Sequence, residues 1–212
     1  MTPAARLSRR TLAWYLAALP LLAAGGCQLP GKSPPPREFR VTPKTTFDNL
    51  PEVGWSLVVD RLESEPTIDT VRIVSVSGVE VAYYADALWV DRPAAMIQPL
   101  LIQSFRASRA IAVVGDRRSE IRPDFLLQCR ITAFQAEPKP DAPPDVRAAI
   151  AASLLAMPRR EVAGTTEIGY TVPAAAREMP AIATAFDEAL GKVLKRLVEW
   201  TLATGEAAAA TS

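Results

Sequence analysis

Few residues in this chain are typed and spaced for chemistry, and the most suggestive set misleads. Gly26-Cys27-Gln28-Leu29-Pro30-Gly31-Lys32-Ser33 satisfies the phosphate-loop pattern G-x-x-x-x-G-K-[ST] letter for letter. A working loop needs a strand before it and a helix after it, so that helix N-terminal amides meet the phosphates. Here Pro34-Pro35-Pro36 follows and cannot continue a helix. Nucleotide binding is rejected on that ground. The chain contains no histidine, which removes Ser-His and Cys-His nucleophilic pairs, His metal ligands and the usual neutral-pH general base. A hydrolase would then need Ser-Lys chemistry or a carboxylate pair. Lys32, Lys44, Lys139, Lys192 and Lys195 sit in no catalytic pattern, and Asp86 and Asp91 read more simply as a turn residue and a helix cap. No enzyme, no cofactor and no metal site are expected.

Cys27 is different, because its surroundings form an address. Arg6, Arg9 and Arg10 precede an apolar run from Leu12 to Ala24, broken by Pro20, that ends in Gly25-Gly26-Cys27. A basic start, a short apolar stretch and small residues at a cut point make a secretory signal. The run falls short of the roughly 20 residues a bilayer-spanning helix needs. Leu22-Ala23-Ala24-Gly25-Gly26-Cys27 resembles a bacterial lipobox, with Ala24 where leucine is commonest. In such signals the cysteine is acylated and becomes the first residue after cleavage. Ser8-Arg9-Arg10-Thr11-Leu12 also has the form of a twin-arginine signal, so the Sec and twin-arginine routes both stay open. Gln28, where inner-membrane lipoproteins often carry aspartate, leans toward outer-membrane sorting.

The remaining chain must form whatever this address delivers. Its 212 residues suffice for one ordinary domain, 49% of them apolar and 22% charged. Lys plus Arg is 24 against 23 for Asp plus Glu, which gives no reason to expect nucleic acid as a partner. Residues 1–26 read as signal peptide, 27–37 as lipidated cysteine and Pro-rich spacer, 38–204 as the folded domain, and 205–212 as a disordered alanine-rich tail.

Within the domain, Glu38 to Val41 and Trp55 to Arg61 are strand candidates, the second with Trp55, Leu57 and Val59 on one apolar face. Val71 to Ser77 and Val79 to Tyr84 flank Gly78 like a hairpin. Asp91-Arg92-Pro93 opens a helix running to Ser108, in which Pro99 predicts a kink or a late start. Ile111 to Val114 and Phe125 to Phe134 are strands, the latter with Cys129 as a small buried hydrophobe. Glu137 to Pro144 is a loop. Val146 to Met157 fits helix or strand; the β-rich run Val162 to Val172, after Pro158-Arg159-Arg160, favours a long hairpin. Pro180 to Thr204 is an amphipathic helix with Asp187, Glu188, Lys192, Lys195 and Glu199 outside its apolar side. The fold class is α/β: one compact domain, a mixed β-sheet with two main helices packed on it.

Ordered segments carry a family resemblance. They are Arg37-Glu38-Phe39-Arg40-Val41-Thr42-Pro43, Trp55-Ser56-Leu57-Val58-Val59, Glu80 to Trp89, Ala185 to Leu190 and Trp200-Thr201-Leu202. Together with the lipobox, these resemble the ABC-type transport auxiliary lipoproteins of Gram-negative bacteria. The resemblance implies a lipid-anchored, non-catalytic component on the periplasmic side of the outer membrane. It would dock an MCE-domain assembly that works with an ABC permease and ATPase to move lipids between the membranes. Phospholipid, and a ring of identical subunits, are further implied partners. The alternative is an envelope-structural lipoprotein that binds peptidoglycan or an outer-membrane assembly factor.

Three surfaces could meet a partner. Tyr83, Tyr84 and Trp89 could form an aromatic ledge for lipid or a partner strand, or wedge the hairpin against the first helix. Arg117, Arg118 and Arg122 could bind anionic headgroups, or form a solvated loop diluted by Asp116 and Glu120. The 146–172 hairpin would expose an edge for another subunit's sheet.

Overall fold

The computed structural model describes residues 35–211. The lipobox, Cys27 and most of the spacer lie outside the described residues. Nine strands and two helices follow in the order β1 (Arg37–Phe39), β2 (Leu57–Val59), β3 (Glu63–Ser64), β4 (Arg72–Ser77), β5 (Glu80–Trp89), α1 (Pro93–Ser108), β6 (Val114–Asp116), β7 (Phe125–Glu137), β8 (Asp145–Ala156), β9 (Glu161–Pro173) and α2 (Met179–Ala209). Arg37 thus belongs to the fold, not the spacer.

The thirteen-residue β7 is the spine of the sheet. Along one side β2, β3 and β4 pair with it in turn, all parallel, at Leu57↔Phe125, Glu63↔Arg130 and Val74↔Gln135. Along the other side runs β8, antiparallel, and then β9. β5 lies antiparallel to β4, β1 parallel to β5, and β6 parallel to β2. This is the mixed sheet the residue patterns imply. The ambiguous segment 146–157 is strand because both neighbours offer it full-length ladders. Its alternate residues Val146, Ala148, Ile150, Ala152 and Leu154 all enter the core that α2 covers with Ile182, Phe186, Leu190, Val193 and Leu197. Alanine at two of these positions, Ala148 and Ala152, suits the tight approach of helix to strand.

Several elements differ from expectation, each for a local reason. β2 is short and buried on both faces. Leu57 and Val59 join the main core, while Val58 packs with Leu126 and Leu155 in a second cluster backed by Ile121 and Met157. The expected strand at Ile111 shrinks to a single bridge with Val53, and β6 starts three residues later. α1 runs unbroken through Pro99. Pro99 and Ala95 are both exposed, so the carbonyl that loses its donor faces water. Asp91 does not cap α1: Arg92 holds the cap position with no side-chain bond, and the Asp91 carboxylate accepts the Arg92 backbone N–H at 2.7 Å. The alanine-rich end is not free either. α2 continues to Ala209, five residues past the expected stop, and Gly205 is buried against the Trp55 indole.

Candidate interaction surfaces

The three aromatic candidates on β5 do not make one ledge. Pairing with β4 shifts register between Arg72↔Leu88 and Val74↔Tyr83, so more residues of β5 than of β4 lie in that stretch. Such a bulge turns side chains onto new faces. Trp89 goes into the core, 2% exposed, its ring 5.1 Å from that of Phe134 and 5.0 Å from that of Phe186. Through Phe186 it wedges the hairpin against α2. Tyr84 is half-buried against the same core, and burial raises its phenol pKa. Only Tyr83 faces outward in part, under the Arg72 guanidinium at 4.1 Å. Asp86 sits inside β5 instead of a turn.

The remaining polar candidates are tied into structure. Lys139, Lys192 and Lys195 pair with Asp145, Glu188 and Asp48. Cys129 is buried at the floor of a groove, and burial, with Asp60 nearby, pushes its thiol up to about 12, so it is a core residue protonated at neutral pH. A groove of about 550 Å³ crosses the sheet between β3 and β8, but its Arg130 is bonded to Glu63 at 3.1 Å. Among the described residues, no group of three or more His, Cys, Asp or Glu could hold a metal ion, and no helix is long and apolar enough to cross a membrane.

Two further features come from topology alone. β9 pairs only with β8, so the other edge of a thirteen-residue strand is open among the described residues. Only Glu161 and Glu167 carry charge along it, leaving it without the lysines that commonly blunt an edge. The second is a strap, residues 41–50, crossing both helices. Asp187 accepts the Thr42 backbone N–H at 2.6 Å and its hydroxyl at 2.9 Å. Ser104 accepts the Lys44 N–H at 2.9 Å, and Lys195 donates to Asp48 at 2.6 Å. The sequence signal for this was present but misread: Asp187 and Lys195 look like solvent-facing helix charges, and the strap half-buries both.

Such a domain, an open mixed sheet of nine strands with two helices packed against it, is of the α/β class. Residues 40–198 match the family described as ABC-type transport auxiliary lipoprotein component, and the chain belongs to that family. The crystal structure of a DUF330-family protein from Xanthomonas campestris is similar, with 28% identity and a TM-score of 0.71, covering 81% of this chain and 95% of that one. An uncharacterised protein of known structure shares the fold at 10% identity and a TM-score of 0.62, covering 78% of this chain and 97% of that one. A search of curated proteins found no match. The family makes this an auxiliary lipoprotein of ABC-type transport, a membrane-anchored protein of the cell envelope.

Proposed function

We propose that this protein is the outer-membrane adaptor of an ABC/MCE system that moves lipids between the inner and outer membranes. Acylated Cys27 holds it on the periplasmic side of the outer membrane, and the 37–209 domain docks the periplasmic MCE assembly without catalysing anything. The observation that carries this reading is the family match across nearly the whole folded domain, joined to a lipobox at its N-terminal side. The open β9 edge supports a homo-oligomeric ring, since an extended strand of another subunit finds there a ready hydrogen-bonding template.

The test is purification from native membranes after mild crosslinking. An MCE-domain protein and phospholipid should co-purify. Recovery of cell-wall fragments with no MCE protein would overturn the reading in favour of an envelope-structural role. A Cys27→Ala variant should leave the outer-membrane fraction; unchanged retention there would refute the anchor.

A further inference from the structure

The β8–β9 turn brings a second pair of arginines to the loop that already carries Arg117, Arg118 and Arg122. Met157, at the start of the turn, donates its backbone N–H to the Asp124 carbonyl at 2.8 Å. Phe125 pairs with Ala156, and Ile121 and Met157 back onto the same cluster of Val58, Leu126 and Leu155. Arg159 and Arg160 are thereby set at the same end of the sheet as Arg118 and Arg122, and all four are exposed.

Three of the acids in this region are tied into hydrogen bonds or an ion pair, although Asp124 stays exposed. Asp116 accepts the Ser119 hydroxyl at 3.0 Å and the Arg118 backbone N–H at 3.0 Å. Asp124 accepts the Ser56 N–H at 2.7 Å and its hydroxyl at 2.8 Å, and Asp60 pairs with Arg117. Glu120 and Glu161 are exposed, the second 3.7 Å from Arg159. Arg118, Arg122 and Arg160 have no carboxylate within ion-pair distance among the described residues. Apolar groups stand among these cations: Pro158 is exposed, and Val162 is 63% exposed.

Free guanidinium groups with apolar tips between them complement a layer that is anionic outside and hydrocarbon beneath. We infer that this end of the domain rests on an anionic phospholipid surface through Arg118, Arg122, Arg159 and Arg160, with Val162 at the headgroup boundary. This contact belongs to the folded domain itself and depends neither on the acyl anchor nor on MCE docking.

The test uses residues 36–212, which form one compact unit holding every core residue from Val41 to Leu202, with a cooperative urea transition as the check that they fold. Co-sedimentation is measured with phosphatidylethanolamine–phosphatidylglycerol vesicles and with pure phosphatidylcholine vesicles. Binding is expected to the first and not the second, and to vanish between about 50 mM and about 500 mM NaCl. Each Arg→Gln change in the rim should lower the partition coefficient about fivefold, whereas Arg37→Gln and Arg92→Gln, placed elsewhere, should leave it unchanged. Equal binding to both vesicle types, no binding to the anionic ones at low salt, or full binding by the quadruple rim variant would each overturn the inference. Preference for isolated peptidoglycan over vesicles would overturn it too. Should the quadruple variant fail to fold, the four single variants decide by the same fivefold criterion.

Discussion

Gly205 gives a sharp test of how the end of α2 is held. An added Cβ there would lie 2.6 Å from Cζ2 of Trp55 and 3.1 Å from two more indole atoms. Carbon atoms prefer roughly 3.5–4.0 Å, so helix and ring must separate by about 1 Å. The ring has little room to yield, being 8% exposed and packed edge-on against Phe125 with centroids 5.0 Å apart. Alanine gains about 1 kcal/mol of helix propensity over glycine, while overpacking a core costs about 1–3 kcal/mol. The clash wins, and Gly205→Ala should destabilise by about 1 kcal/mol net. Gly191 is the internal control, because nothing lies within 4 Å of its added Cβ. Gly191→Ala should stabilise by about 0.5–1 kcal/mol, and for a domain of this size each kcal/mol moves Tm by about 2–4 °C. Urea denaturation of both variants, checked by thermal melts, reads the difference directly. If both substitutions raise stability equally, α2 does not pack against Trp55 beyond residue 204, and the alanine-rich end is the loose tail its composition suggests.

Other outcomes follow from the same geometry. Trp89→Ala should cost about 3–5 kcal/mol in urea unfolding, because it empties the centre of the aromatic cluster with Phe134 and Phe186. The Cys129 thiol should resist a thiol-reactive dye in the native protein and react at once in denaturant. With its pKa raised from 9.0 to about 12, the unfolded state loses its proton first, so this residue's contribution to stability falls as pH rises through that window. Lys195 beside Asp48 lowers the carboxyl's pKa, and Asp48 raises that of the ammonium. The pair therefore contributes between the carboxylate and lysine ranges, fading below pH 3.8 and above pH 10.5. Carboxyl NMR titration should show Asp48 below its ordinary value, and Lys195→Met should move it back toward that value.

How much of this was legible beforehand depends on what kind of information each feature uses. The α2 stripe of Ile182, Phe186, Leu190, Val193 and Leu197 and the β7 alternation are local periodicities, and both appear where the sequence places them. The 146–157 segment needed its hairpin partner to be read, since alanine fits either period. The aromatic set at residues 83–89 divides because neighbours in a strand face opposite sides, which parts Tyr83 from Tyr84, and the β5 bulge then puts Trp89 on the core side with Tyr84. Burial of β2 on both faces and the placing of Arg122 and Arg159 at one end of the sheet are products of strand order. Residues so far apart leave no local trace of such neighbourhood. Cys27 is the reverse case, written wholly in sequence and lying outside the described structure.

The strap over the helices has a mechanical side. A pull on the chain before Arg37 first reaches β1, three residues in a parallel ladder on β5. Directed along the strand, it loads those bonds together in shear; directed sideways, it peels them singly. Behind β1, the three Thr42 bonds to Asp187 and the Lys195–Asp48 pair take up the remaining tension along α2. They fasten the chain to the face of a 31-residue helix whose other side is sunk in the core. The domain therefore has strain relief at the end where a tether would tug, and such a pull is borne before it reaches the rest of the sheet.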